Sequence, residues 1–357
     1  MQQIKDIPEF VNREKEIKQL RAVLSGRPNL VYFVYGPINS GKTALLLKVL
    51  DKLPENYVVF YINFRWKDVR SIEDLIRVMF KIKRGKFSEE TADFIKELLK
   101  GGAQVLKKLK SIPIPENIFD LLFRKVDKVE DVFSFLEEYF ETIKGANLTP
   151  VLVLDEMQTI KDIVNAAEVP VLSGLFNFLI GMTKEKHLCH SLCSTSDCLF
   201  IDLVYSSARL EGRAEYLLVD DLPEKEALKV YEEFGFEEKE LIWDYIGGKL
   251  GDMVRLFEKK KQGYSEKEAV QRMLEDEKRR IKWLLRLAKE GNKPAPALKE
   301  IKEFLTIFKE FYEIKDEDLN GKVLRFLIEE NILFYNPVKG TIRPQSQLIY
   351  RAIKELA

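Results

Sequence analysis

Residues 36–43 read Gly36-Pro37-Ile38-Asn39-Ser40-Gly41-Lys42-Thr43 and complete the pattern G-x-x-x-x-G-K-[ST]. The chemistry of that pattern is phosphate binding. Its glycines let successive backbone N–H groups curl around an anion, and the helix that follows, opening through Lys42, Thr43 and Ala44, adds its partial positive charge. Lys42 is predicted to reach the β- and γ-phosphates of a nucleotide, and Thr43 to ligate Mg²⁺ through its hydroxyl. A second constellation lies far along the chain, where Val151-Leu152-Val153-Leu154 runs into Asp155-Glu156. Asp155 is expected to hold Mg²⁺ and Glu156 to polarise a water as general base. The extra glutamate favours hydrolysis over transfer to a second substrate.

Such groups need a scaffold that brings them to one place. Residues 30–35 (LVYFVY), 57–63 (YVVFYIN) and 150–154 (PVLVL) are short continuous apolar runs, suited to strands buried on both faces. Residues 187–194 and 214–219 are predicted as a fourth and a fifth strand. Helical spacing marks 14–24, 42–52 and 175–182. Strands alternating with helices imply a parallel sheet covered on both sides, and ligands in such sheets bind at the carboxyl ends of the strands. Residues 71–144 read as a long helical insertion, divided by Gly101-Gly102 and by SIPIPE at 111–116. After Asp220 the pattern is helical throughout. A linker is expected at 293–296 (KPAP). Beyond it come helices, then two short strands at 332–335 and 341–343 around Lys339-Gly340, which suit a winged helix.

The 357 residues exceed one compact domain. Three units are predicted: a core over 1–220, a helical lid over 221–292 and a winged helix over 293–357. Lys+Arg 58 against Asp+Glu 58 leaves no net charge, unlike a dedicated nucleic-acid binder. The N-terminus is polar, no apolar run is long enough to span a membrane, and cysteines are few, so a soluble cytoplasmic protein without disulfides is expected.

These residues resemble the archaeal ATPase family within the AAA+/STAND branch of P-loop ATPases. The resemblance rests on FVNREKE at 10–16, the P-loop, Asp155-Glu156-Met157-Gln158, LCSTS at 192–196, Leu210-Glu211-Gly212-Arg213, and Ile246-Gly247-Gly248-Lys249, followed by Leu250 where the family usually has Pro. Residues 334–337 and 343–346 resemble the end of the family's winged helix. The resemblance implies a five-stranded parallel sheet in the order 5-1-4-3-2, a helical lid and a winged helix. It implies ATP or ADP with Mg²⁺ as ligands, and it sets the opening segment, with Val11 and Arg13, against the adenine.

Other residues carry two readings each. Thr195 or Ser194 is a sensor of the γ-phosphate, or part of a polar turn. Arg213 stabilises the transferring phosphoryl in cis or in trans, or forms a surface ion pair with Glu211 or Glu215. Arg255 approaches the γ-phosphate from the lid, or sits on a solvated helix face. Both histidines and all three cysteines fall within 187–198, but without paired C-x₂-C spacing they read as core rather than metal ligands. The basic stretch 81–110 reads as a solvated helix face. The predicted central helix of the winged helix, 319–331, balances Lys322 and Arg325 with Glu329 and Glu330. That balance favours a protein partner over DNA, with an oligomer also open. The expected function is ATP hydrolysis coupled to conformational change. A slow nucleotide switch and an origin-recognition-like or helicase-loader DNA ATPase are the rivals.

Overall fold

The structure, a computed structural model, describes residues 12–66, 78–83, 108–109, 112–115, 129–160, 169–208, 210–290, 295–317 and 319–356. Helix α1 (Glu14–Ser25) precedes β1 (Val31–Tyr35), whose side chains are almost all buried. The P-loop follows, then α2 (Lys42–Asp51) and β2 (Tyr57–Asn63). Within the insertion lie β3 (Phe80–Lys83), β4 (Lys108–Leu109), β5 (Ile112–Pro115) and α3 (Val129–Gly145). The core then runs β6 (Thr149–Asp155), α4 (Val169–Ile180), β7 (His190–Thr195), α5 (Cys198–Tyr205) and β8 (Ala214–Leu218).

The main sheet has the order β4-β2-β6-β7-β1-β8, and every pairing in it is parallel. Its five long strands keep the expected 5-1-4-3-2 arrangement, and the two-residue β4 extends the β2 edge as a sixth. On one face Leu20 and Leu24 of α1 and Leu45, Leu46 and Val49 of α2 pack on Val34, Val59, Val153 and Leu192. On the other, α3, α4 and α5 supply Tyr139, Phe140, Leu175 and Phe200 against Phe33, Phe60 and Leu152. Each fully buried aliphatic or aromatic side chain contributes about 1.5–3 kcal/mol. Because the strands are parallel, Tyr35, Asn63, Asp155 and Thr195 all end on one edge.

The insertion is not helical throughout. Residues 112–115 form a strand that pairs in parallel with β3, Phe80 opposite Ile112 and Ile82 opposite Ile114. Pro113 and Pro115 alternate with the isoleucines, and a strand at a sheet edge tolerates prolines because their missing N–H groups cost no ladder bond there. Most of the basic stretch 81–110 lies outside the described residues.

Four helices follow the core: α6 (Glu224–Glu233), α7 (Lys239–Ile246), α8 (Leu250–Lys261) and α9 (Glu266–Glu290). Residues 293–294 of the expected linker lie outside the described residues. The C-terminal region has α10 (Leu298–Thr306), β9 (Ile314–Lys315), α11 (Gly321–Glu329), β10 (Leu333–Asn336), β11 (Thr341–Pro344) and α12 (Gln347–Leu356). Its small antiparallel sheet, β10-β11-β9, includes a strand the sequence reading did not find. Helix α11 starts two residues later than expected because the Asn320 side chain caps it, accepting from the Lys322 and Val323 N–H groups. Among the described residues no helix is long and apolar enough to cross a membrane.

Candidate nucleotide site

The P-loop opens where β1 meets β8. A Cβ at Gly36 would lie 2.1 Å from the Val219 carbonyl oxygen, so no other residue fits there. The Val219 N–H donates to the Tyr35 carbonyl at 2.7 Å and fixes that approach. Lys42 is buried, and its ammonium donates to the carbonyls of Gly36 (3.1 Å) and Pro37 (2.8 Å). The charge is thereby held within the loop formed by Gly36, Pro37, Ile38, Asn39, Ser40 and Gly41. Burial, reinforced by the nearby Lys249 charge, pushes the Lys42 ammonium down to about 7, and Glu156, Asp155 and Asp221 pull the other way. Thr43 and Ala44 lie in the first turn of α2, where backbone N–H groups have no intrahelical acceptors and suit an anion.

Asp155 ends β6 with its side chain fully buried. One carboxylate oxygen accepts from the Thr43 hydroxyl (2.9 Å), the Tyr61 hydroxyl (2.5 Å) and the Asn63 amide (3.1 Å). The other accepts from the Glu156 N–H at 3.1 Å. Tyr61 and Asn63 were not read from the sequence. They reach Asp155 because β2 pairs with β6 in a register that sets Asn63 beside Asp155. The Thr43 hydroxyl and the Asp155 carboxylate are hard oxygen donors side by side, a set that could hold Mg²⁺.

Glu156 has φ 61°, a left-handed backbone that costs a non-glycine residue about 1–3 kcal/mol and clusters at functional sites. Two bonds from Thr159, through its N–H and hydroxyl, hold the Glu156 carbonyl in place. One Glu156 carboxylate oxygen pairs with Arg65 at 2.8 Å, and the other accepts from the Gln158 amide at 2.5 Å. The Thr195 hydroxyl donates to the Gln158 amide oxygen at 2.8 Å. Three strand ends, β2, β6 and β7, are thus joined at one carboxylate.

A model of the ATPase domain found predominantly in Archaea matches residues 10–256. The chain belongs to this archaeal ATPase family. Residues 267–357 match the C-terminal domain of the uncharacterized ATP-binding protein MJ1010-like group. An uncharacterized ATP-binding protein of Methanocaldococcus jannaschii is 41% identical, with 97% of each chain covered. A second from the same organism is 37% identical over 98% of this chain and 99% of its own. The Walker-type ATPase of Pyrococcus abyssi shares the fold, with a TM-score of 0.60 at 16% identity over 97% of this chain and 96% of that one. The protein is an ATP-binding P-loop protein.

Thr195 and Ser194 of this archaeal ATPase close β7, where both are buried. The Thr195 hydroxyl also accepts from the Asp197 N–H (3.1 Å), and Asp197 caps α5. Arg13 was expected against the base. Instead its buried guanidinium donates to the Ser40 carbonyl (2.8 Å) and the Asp220 carbonyl (2.5 Å), bracing the P-loop against the exit of β8. Val11 lies outside the described residues. Beside its neighbour Asn12 is a polar hollow of about 250 Å³, lined also by Glu14 and by Lys229 and Val230 of α6.

Two expected phosphate contacts are elsewhere. Arg213 precedes β8, and its carbonyl accepts from the Val31 N–H at 3.0 Å, at the start of β1. That is the edge of the sheet opposite the P-loop, so Arg213 is about 16 Å away along a five-residue strand and cannot act in cis. Arg255 is held on the lid's own carboxylates, at 2.9 Å from Asp252 and 3.2 Å from Glu277. It lies on α8 as its spacing predicts, but helical spacing does not say which end of a helix meets the loop.

Proposed function

We propose that this archaeal ATPase hydrolyses Mg-ATP and couples the reaction to movement of its lid and C-terminal region. The observation that carries the reading is the chain Thr195–Gln158–Glu156, set beside Asp155 and Thr43 at the mouth of the P-loop. Glu156 is the general base that takes a proton from water, and Gln158 and Thr195 hold its carboxylate at the strand ends. Mg²⁺, held by Thr43 and Asp155, would offset phosphate charge. Lys42 adds a cation at the β- and γ-phosphates, whose negative charge favours its protonated form. The adenine is assigned to the hollow beside Asn12.

Residues 1–220, 221–292 and 293–357 are proposed as the core, the lid and a winged helix, in a protein of the cytoplasm. A short strand, a helix and then two antiparallel strands joined by a turn, β9, α11, β10 and β11, support the winged-helix reading. The exposed side of α11 carries Lys322, Arg325 and Glu329, and Arg325 pairs with Glu329 at 3.1 Å. That balance of charge supports a protein partner rather than duplex DNA.

A second reading, a slow nucleotide switch, is favoured by the Arg65–Glu156 ion pair. With one oxygen on Arg65 and the other on Gln158, the base is engaged before any water arrives. Phosphate release from Mg-ATP, measured with and without duplex DNA and beside a Glu156→Gln variant, tests both. Turnover that is absent from the variant and indifferent to DNA supports the protein-directed ATPase. Turnover undiminished in the variant would remove Glu156 from the chemistry, and stimulation by DNA would replace the protein partner with a duplex.

A further inference from the structure

The lid meets the P-loop through three consecutive residues at the start of α8. A Cβ at Gly248 would sit 1.7 Å from the Leu222 carbonyl oxygen, and the Leu222 N–H donates to the Gly248 carbonyl at 2.9 Å. The glycine turn before α8 is therefore clamped to the chain leaving the core. The Gly251 N–H donates to the Asn39 carbonyl at 3.2 Å, and a Cβ at Gly251 would stand 2.5 Å from the Asn39 Cβ. Leu250, in place of the family's usual Pro, lies over Gly41, its Cδ1 3.1 Å from where a Cβ there would stand.

Lys249 stands between these contacts as the N-cap of α8 and turns its side chain into the loop. Its ammonium donates to the Ile38 carbonyl at 2.9 Å and lies 3.4 Å from an Asp221 carboxylate oxygen. The residue is only 5% exposed. Among the described residues, two partners serve an ammonium with three hydrogens. Arg255, by contrast, is 40% exposed and satisfied by Asp252 and Glu277. It also sits six positions further on, about 9 Å along the helix axis. Of Lys249 and Arg255, Lys249 is the one at the phosphate loop.

We propose that Lys249 is the lid's phosphate-binding residue, its ammonium joining Lys42 on the terminal phosphate of ATP and returning to Ile38 and Asp221 when that phosphate is gone. The proposal rests on ATP occupying the P-loop. It makes the lid a reader of the third phosphate, because ADP has nothing at that position for Lys249 to bind. Charge-assisted hydrogen bonds in buried sites are strong enough to make this contact worth a tenfold difference in affinity or more.

The test is equilibrium binding of a non-hydrolysable ATP analogue and of ADP to the full chain. It compares the wild type with Lys249→Ala, Lys249→Gln, Lys249→Arg, Arg255→Ala and Lys42→Ala. The expected result is an analogue affinity lowered about tenfold or more in Lys249→Ala and Lys249→Gln, with ADP affinity changed less than twofold. Lys249→Arg restores much of the difference, and Arg255→Ala leaves both affinities within twofold. Glutamine keeps a donor for the Ile38 carbonyl. Normal analogue binding by Lys249→Gln would therefore reduce Lys249 to a loop support and overturn the proposal, as would equal losses for analogue and ADP. Glutamine also serves if the alanine variant fails to fold. Failure of the ATP reading is a separate result, in which the wild type binds neither nucleotide better than Lys42→Ala.

Discussion

At the C-terminal edge of the main sheet, one Asp155 oxygen takes hydrogen bonds from Thr43, Tyr61 and Asn63, and both Glu156 oxygens are engaged. At the N-terminal edge of the same sheet, buried His190 has a ring nitrogen without a partner among the described residues, and Arg213 is exposed. Both edges carry side chains able to do chemistry: carboxylates, hydroxyls and an arginine at one, two histidines, a cysteine and an arginine at the other. What separates them is direction. Parallel strands deliver all their carboxyl ends, and the helix N-terminus of α2, to a single side. There polar side chains from separate strands converge on one carboxylate pair. At the other side the His187 ring lies 2.5 Å from the Pro28 carbonyl, and the Cys189 thiol donates to the His190 carbonyl at 3.3 Å.

Substitutions at the two edges should therefore differ in kind. The largest effect is expected for Glu156→Gln, which should lower the turnover number of phosphate release about a hundredfold or more while ATP affinity stays within about threefold. Thr195→Ala and Gln158→Ala come next, with turnover lowered about tenfold by loosening the carboxylate. Arg213→Ala should leave turnover within twofold in the same assay. A hundredfold loss there would break the comparison and bring the far edge into a neighbouring subunit's site. A smaller effect of opposite sign is expected for Arg65→Ala. Removing the ion pair frees one Glu156 oxygen, and turnover should rise a few-fold.

The far edge should be visible in stability rather than in rate. Burial, with the Lys144 charge next, lowers the His190 imidazole from 6.5 to about 4, against a hydrogen bond with the Gly26 backbone. Neutral His190 is favoured in the fold, so its contribution is complete above pH 6.5 and is lost as pH falls toward 4. The loss amounts to at most about 3 kcal/mol. Urea unfolding across that window should show the slope in the wild type and a flatter one in His190→Gln.

The phosphate chemistry was legible because it is written in consecutive residues. A run such as 36–43 needs only its own neighbours to become a loop, and Asp155-Glu156 needs only to end a strand. Tyr61, Asn63 and Arg65 escaped because their role comes from register between strands about ninety residues apart, although the order 5-1-4-3-2 already set β2 beside β6. The segment 111–116 looked like a break because prolines signal interruption, whereas alternating prolines on an edge strand do not prevent pairing. Lys249 lies in the glycine motif at 246–249, whereas helical spacing points to Arg255 as the lid's phosphate contact. Sequence spacing gives a helix its faces, but which end abuts a loop depends on how the chain re-enters the core, here through Leu222 and Gly248.

Tyr35, the last residue before the P-loop, donates its hydroxyl to the Asn336 amide oxygen at 2.9 Å, and these two residues are 301 positions apart. Arg343 of β11 pairs with Asp220, whose carbonyl also holds Arg13. On the ribosome, at roughly 5–20 residues per second, about 15–60 s separate the emergence of the two ends of that tyrosine bond. For that interval the nascent core carries its phosphate loop without its distal clasp. Full rigidity of the nucleotide site then arrives only once residues 336–343 have been made, so the core alone is not the unit that matures.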